Sequence, residues 1–222
     1  MRLMVEWSAM LALPVALFIA SNARADDLLN ALVESLQKKY DSVESMSANF
    51  EQSYKSMRFE EDKKASGTLE IQKPGKMRWD YREPKGKLLV SDGETLSLYD
   101  PQDKQVVVNR QPKGQSLPAA IAFLAGKGKL KESFAMEWIA KPNEARKAVI
   151  RATPKSKEPN VREIHFTVSL EGSPTIVATS IVDELGGESQ VSFRNIKINP
   201  KLSAKRFEFK APKGVTIVEP KI

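Results

Sequence analysis

The chain contains no cysteine and a single histidine among its 222 residues. Without cysteine there are no disulfides, no thiol nucleophile and no lipid attachment site after an export signal. His165 stands alone, which leaves no nitrogen–sulfur ligand set for a transition metal. It lies in the strand-like run Ile164–Val168, on the face opposite Ile164, Phe166 and Val168, and reads as a surface strand residue rather than a base. No Gly-rich phosphate loop is present, since Gly126-Lys127-Gly128-Lys129 lacks the spacing. Asp92, Asp100 and Asp103 are close in sequence, but each belongs to turn chemistry, without EF-hand spacing. Past the N-terminal region no apolar run is long enough to cross a membrane. What is left points to binding rather than catalysis.

Charge adds little specificity. The balance is +7, with lysines spread along the whole chain and no arginine-rich stripe, so nucleic acid is not an expected partner. A solvated surface accounts for the excess. Weak attraction to anionic lipid head groups is the better-fitting specific use.

The N-terminus carries an export signature. Arg2 supplies a weak positive charge, Ser8 to Ser21 is largely apolar, and Ala23-Arg24-Ala25 has the small-x-small form of a cleavage site. The expected organisation is a signal peptide over 1–25 and one domain over 26–222, long enough for a sizeable core and located in a bacterial periplasm or outside the cell.

Asp26 to Tyr40 has helical periodicity, with Leu29, Leu32, Val33, Leu36 and Tyr40 on one stripe. Asp26 and Asp27 suit the positive end of that helix, Lys38 and Lys39 the negative end. Alternation then takes over through Met46, Ala48, Phe50, Gln52 and Tyr54. Glu60 to Lys64 reads as a charged hairpin loop. Lys73-Pro74-Gly75-Lys76 and Asp92-Gly93 are tight-turn signals. Further strands are expected over 88–91, 95–99, 105–109, 134–139, 148–152, 164–170, 176–182, 191–198 and Phe207 to Phe209. About ten or eleven strands with frequent turns and few helices describe a barrel or sandwich.

The densest information lies in residues 67–99. Leu69 and Ile71, then Met77, Trp79 and Tyr81, recur at alternate positions and line one side of a curved sheet. Met46 and Phe50 extend that face, as do Leu96 and Leu98 or their alternates. Ser116 to Ala125 (SLPAAIAFLA) is a short helix candidate that is apolar almost all round and includes Ile121, Phe123 and Leu124. It is either fully buried or it covers something apolar. The same residues suit an ordinary core or a cavity sized for acyl chains, and periodicity does not separate the two.

The motifs resemble a known family. Phe50-Glu51-Gln52, Gly67-Thr68-Leu69, the run Lys73 to Tyr81 (KPGKMRWDY), Leu89 to Gly93 (LVSDG) and Tyr99-Asp100-Pro101 are similar to the LolA family of periplasmic outer-membrane lipoprotein carriers. Ser116-Leu117-Pro118 and Phe207-Glu208-Phe209, followed by Pro212-Lys213-Gly214-Val215, are weaker matches. The resemblance implies an incomplete, half-open antiparallel β-barrel whose hydrophobic cavity is covered by short helices, the N-terminal one and the 116–125 segment among them. It implies acylated lipoproteins as cargo, an inner-membrane ABC-type release complex as donor, and an outer-membrane receptor or membrane surface as acceptor. It implies neither catalysis nor cofactor, and a monomer. The family's turn position before proline is typically an arginine that latches the lid; here it is Lys73, which has donors but no planar fork. The alternative is a relative with the same fold and other cargo, a lipid or glycolipid binder or an envelope sensor. A packed polysaccharide-binding module without a cavity stands behind that.

Overall fold

The computed structural model describes residues 15–55, 63–110, 123–124, 128–158 and 160–219, with side chains from Ala25 onward. One long helix, α1 (Val15–Ser42), precedes a single sheet of twelve strands. The strands are β1 (Ser45–Lys55), β2 (Lys63–Gln72), β3 (Lys76–Glu83), β4 (Leu88–Asp92), β5 (Thr95–Asp100) and β6 (Gln105–Arg110). After a single turn of helix, α2 (Leu130–Ser133), follow β7 (Phe134–Ala140), β8 (Lys147–Pro154), β9 (Glu163–Ser169), β10 (Thr175–Val182), β11 (Glu188–Ile198) and β12 (Thr216–Val218).

In space the order is β12-β6-β5-β4-β3-β2-β1-β11-β10-β9-β8-β7. Neighbours are antiparallel except β12, which runs parallel to β6. The edge strands β7 and β12 do not pair, so this large, mostly antiparallel sheet is a half-open barrel. Helix α1 packs on its inner face. Leu29, Leu32, Val33, Leu36 and Tyr40, the stripe expected from sequence, are all buried in one cluster with the inner-facing strand residues.

Turn chemistry sets the register. Gly75 takes φ +71° between β2 and β3, a region open to glycine without Cβ strain. The Asp92 side chain accepts hydrogen bonds from the backbone N–H of Glu94 (2.9 Å) and Thr95 (2.7 Å), closing the β4–β5 hairpin as an Asx turn. The Ser91 hydroxyl donates to the Gly75 carbonyl (3.1 Å) and accepts from Gly93 N–H (3.2 Å), tying the two turns together.

Several expectations are corrected. The helix begins well before Asp26, so Asp26 and Asp27 lie inside it rather than in its first turn. Lys63 and Lys64 are strand, not loop, and Glu60 to Asp62 lie outside the described residues. Phe207 to Phe209 is not a strand. A 3-10 turn (Ala204–Phe207) presses Phe207 against the outer face, where it is 1% exposed beside buried Val90 and Val106. Arg206 fixes that turn, with its Nε 2.8 Å from Glu70 and its carbonyl accepting from Arg78 (3.2 Å). Among the described residues the count is twelve strands against the expected ten or eleven, the last being the three-residue β12.

Candidate functional site

The inner face is built in crosswise rows, because directly paired residues of adjacent strands share a face. One row reads Met46, Ile71, Met77, Ser91, Leu96 across β1 to β5. The next reads Ala48, Leu69, Trp79, Leu89, Leu98. A third joins Phe50, Gly67 and Tyr81. All nine sheet residues singled out from sequence therefore stand on one face. Leu96 and Leu98 themselves, not their alternates, belong to it.

Met46, Phe50, Leu69, Ile71, Met77 and Trp79 are buried, Leu96 just so, and Tyr81 and Leu98 are half-buried. Of the segment 116–125, Phe123 and Leu124 are helical and buried. Ile121 and the remaining residues of that segment lie outside the described residues.

Aromatic rings organise the interior. Phe50 contacts Trp79 (centroids 4.8 Å) and Tyr81 (5.1 Å) edge-on, the geometry that ring quadrupoles favour. Phe123 bridges Tyr40 of α1 (5.3 Å) and Phe166 of β9 (6.4 Å). Gly67 makes the first cluster possible. A Cβ there would overlap the Asp80 carbonyl and lie 2.8 Å from Phe50 Cε1, so only hydrogen fits between that carbonyl and the Phe50 ring. Burial pushes the Tyr81 phenol above its ordinary range.

The far half of the face, Ile150, Ile164, Phe166, Val168, Val191 and Phe193, completes the same cluster. Sequence reasoning did not single these out as lining, although the alternation around His165 gave their direction. His165 faces outward, its Nε2 2.9 Å from a Glu163 carboxylate oxygen.

The C-terminal end of α1 is fastened to the sheet by cations and a phenol. Lys73, in the β2–β3 turn, donates through Nζ to the Tyr40 carbonyl in the last helical turn, while its backbone N–H bonds the Glu44 carbonyl (2.8 Å). A cation at that position completes the helix dipole and adds to the single long bond, from Val43 N–H (3.4 Å), that the Tyr40 carbonyl otherwise accepts. Burial lowers the Lys73 pKa, and the nearby Asp41 carboxylate acts against that shift.

Lys39 reaches across to the β9–β10 turn, donating to Thr175 Oγ1 and to the Ser173 carbonyl (3.3 Å). The Tyr40 hydroxyl accepts from Ile176 N–H at 3.1 Å. Burial pushes this phenol up to about 12, with the Ile176 N–H opposing. Further toward the N-terminus, inside the helix, the Trp138 indole N–H donates to the Ala25 carbonyl (3.0 Å). Midway, Gln37 accepts from Leu130 N–H (2.8 Å) and Glu34 pairs with Lys131 (2.6 Å).

Among the described residues no group of three or more acidic or histidine side chains is placed to hold a metal ion. The arrangement is an apolar interior under a helix held by a few polar bonds.

Comparison with known proteins follows the same lines. The chain is 35% identical over 187 residues to the outer-membrane lipoprotein carrier protein of Legionella pneumophila (strain Corby), covering 84% of this chain and 89% of that one. It is 32% identical over 212 residues to the protein of the same description from Methylibium petroleiphilum, with 96% of each covered. A crystal structure of an uncharacterized conserved protein from Thermus thermophilus superposes with a TM-score of 0.52 at 11% identity, covering 86% of this chain and 98% of that one, which speaks for the fold alone. The family model for outer membrane lipoprotein carrier protein LolA matches residues 41–210, and with it the inner-face rows, both tight turns and the buried Phe207: this chain belongs to the LolA family.

Proposed function

We propose that the chain is a periplasmic carrier, cleaved after Ala25, that shields lipoprotein acyl chains between the inner sheet face and its covering helices. It would receive them from an inner-membrane ABC-type release complex and deliver them to a receptor or membrane surface at the outer membrane, as a monomer without catalysis or cofactor. The observation that carries this reading is the family membership joined to one continuous apolar face running from Met46 to Leu98 across five strands.

The energetic need is large. Each CH₂ kept from water is worth about 0.8 kcal/mol, so a sixteen-carbon chain represents ~12 kcal/mol. An exported carrier meets that need by exchanging contacts of its own core for contacts with cargo. The covering helix is suited to such an exchange. Its inner stripe is apolar, while Lys73, Lys39 and the Tyr40 hydroxyl hold its C-terminal end by individual hydrogen bonds. Each of these has a net worth of about 1 kcal/mol, against the several that an acyl chain supplies. Lys73 is the proposed latch: its bond to Tyr40 holds the closed state, and cargo entry breaks it.

The test is loading. The mature protein is incubated with membranes in which a triacylated lipoprotein is released, and carrier–lipoprotein complex is quantified. A soluble one-to-one complex is expected. Loading and release at wild-type rates in Lys73→Met would remove the latch from the scheme, and no complex under any condition would remove the carrier reading.

A further inference from the structure

The inner face changes character along β1. Phe50 is 1% exposed, Gln52 is half-buried and Tyr54 is 37% exposed, so the apolar floor gives way to exposed side chains toward the end of β1. A pocket of about 500 Å³ lies there, lined by Gln52, Tyr54, Ala65, Tyr81, Pro84 and the charged side chains Lys63, Lys64, Lys87 and Glu83. That volume is ordinary for a small-molecule site. Its floor joins the interior directly, since Tyr81 contacts Phe50 and Phe50 contacts Trp79.

Among the described residues its lining carries three lysines against one carboxylate. Lys87 is positioned over the Tyr81 ring (Nζ 5.9 Å from the centroid) by Asp100 (3.4 Å), while Lys63 and Lys64 form no ion pair among the described residues. Lys63 pairs across the strands with Tyr54, which places it on the same face as the apolar floor.

An apolar floor that ends in lysine ammonium groups, Lys87 shared with Asp100 and Lys63 without an ion pair among the described residues, is complementary to an amphiphile whose anion sits immediately next to its acyl chains. We propose that this pocket binds anionic phospholipid. Lys63 and Lys87 hold the phosphate, and the first acyl carbons lie on Tyr81 and lead toward Phe50. The proposal rests on the reading that the inner face accepts acyl chains, and it adds a second class of ligand to the lipoprotein cargo.

The mature protein is titrated by calorimetry with dihexanoylphosphatidylglycerol below its micellar concentration, and in parallel with uncharged dihexanoylglycerol. Wild type is expected to bind the anionic lipid ~tenfold or more tightly than the neutral one, because two contact charge pairs are involved. Raising the salt from 0.05 M to 0.5 M should shrink that preference. The double variant Lys63→Gln/Lys87→Gln should lose the preference while loading triacylated lipopeptide as wild type does. Lys63→Gln alone, at an exposed position, should lose about fivefold. Equal affinity for the two lipids, no binding of the anionic lipid, or variants with an unchanged preference would overturn the proposal. The lipopeptide arm keeps the two readings apart. Lipopeptide loading without phosphatidylglycerol binding removes this pocket and leaves the carrier; the reverse removes the carrier and leaves the pocket.

Discussion

Replacing Gly67 by alanine adds one methyl group at the point where the inner face is most crowded. The new Cβ would overlap the Asp80 carbonyl oxygen on β3 and stand 2.8 Å from Phe50 Cε1. Phe50 has little room to yield, because its ring is held at 4.8 Å from Trp79 and 5.1 Å from Tyr81. The carbonyl is backbone within the β2–β3 ladder, so relief requires β3 to shift, next to the existing register irregularity at Ser66 and Gly67. Overpacking a core costs about 1–3 kcal/mol when side chains can adjust, and a backbone clash puts this site at the upper end. Alanine recovers about 0.4–1 kcal/mol by restricting the unfolded chain. The net expectation is a loss of ~2–3 kcal/mol, or about 5–10 °C in Tm for a domain of this size.

Urea unfolding of wild type, Gly67→Ala, Phe50→Leu and the double variant measures it. Phe50→Leu removes the ring contact but leaves the carbonyl overlap, so the double variant should keep most of the Gly67→Ala cost. A loss below about 0.5 kcal/mol, or complete rescue by Phe50→Leu, would refute the reasoning.

Other consequences are equally direct. Tyr40→Phe removes the acceptor of the buried Ile176 N–H and should cost about 1–3 kcal/mol by chemical denaturation. The folded Tyr40 pKa, raised to about 12 from 10, means the native state holds its proton more tightly than the unfolded chain. The corresponding stability is fully present below pH 10 and is lost as pH rises through 12, and Tyr40→Phe should flatten that alkaline limb in a pH series of unfolding curves. Lys73→Met should leave the sheet intact but speed amide exchange in the last turn of α1, read by hydrogen exchange; unchanged exchange there would deny the bond to Tyr40 a holding role. Phe207→Ala should cost about 3–5 kcal/mol, because the ring is 1% exposed, yet leave lipopeptide loading per folded molecule unchanged, since it packs on the outer face.

The inner face was legible because a strand's two-residue period is strict. Once Leu69 points inward, Ile71 does too, and strong turns at Gly75 and Asp92 fix the register so that Met77, Trp79, Leu96 and Leu98 fall into the same rows. The α1 stripe was legible for the analogous helical reason. Its start was not, because residues 15–25 have a composition suited to a signal and to a helix alike. Phe207–Phe209 misled through its own alternation. A buried aromatic flanked by polar residues reads as strand, while the Arg206–Glu70 and Arg78–Arg206 bonds that fold it into a 3-10 turn join residues far apart in sequence. The three-residue β12 is too short to show a period. The pocket at Lys63 and Lys87 was hidden for a similar reason, since it joins strand ends that only the sheet brings together.

Native mass spectrometry of the mature protein recovered from a periplasm, with extraction of whatever accompanies it, tests the central claim most directly. The account predicts a one-to-one complex with a triacylated lipoprotein, which disappears when the apolar face is interrupted by Leu69→Asp in a variant verified to be folded. A protein that emerges free of acylated polypeptide, and that also fails to load one added in trans, would contradict it.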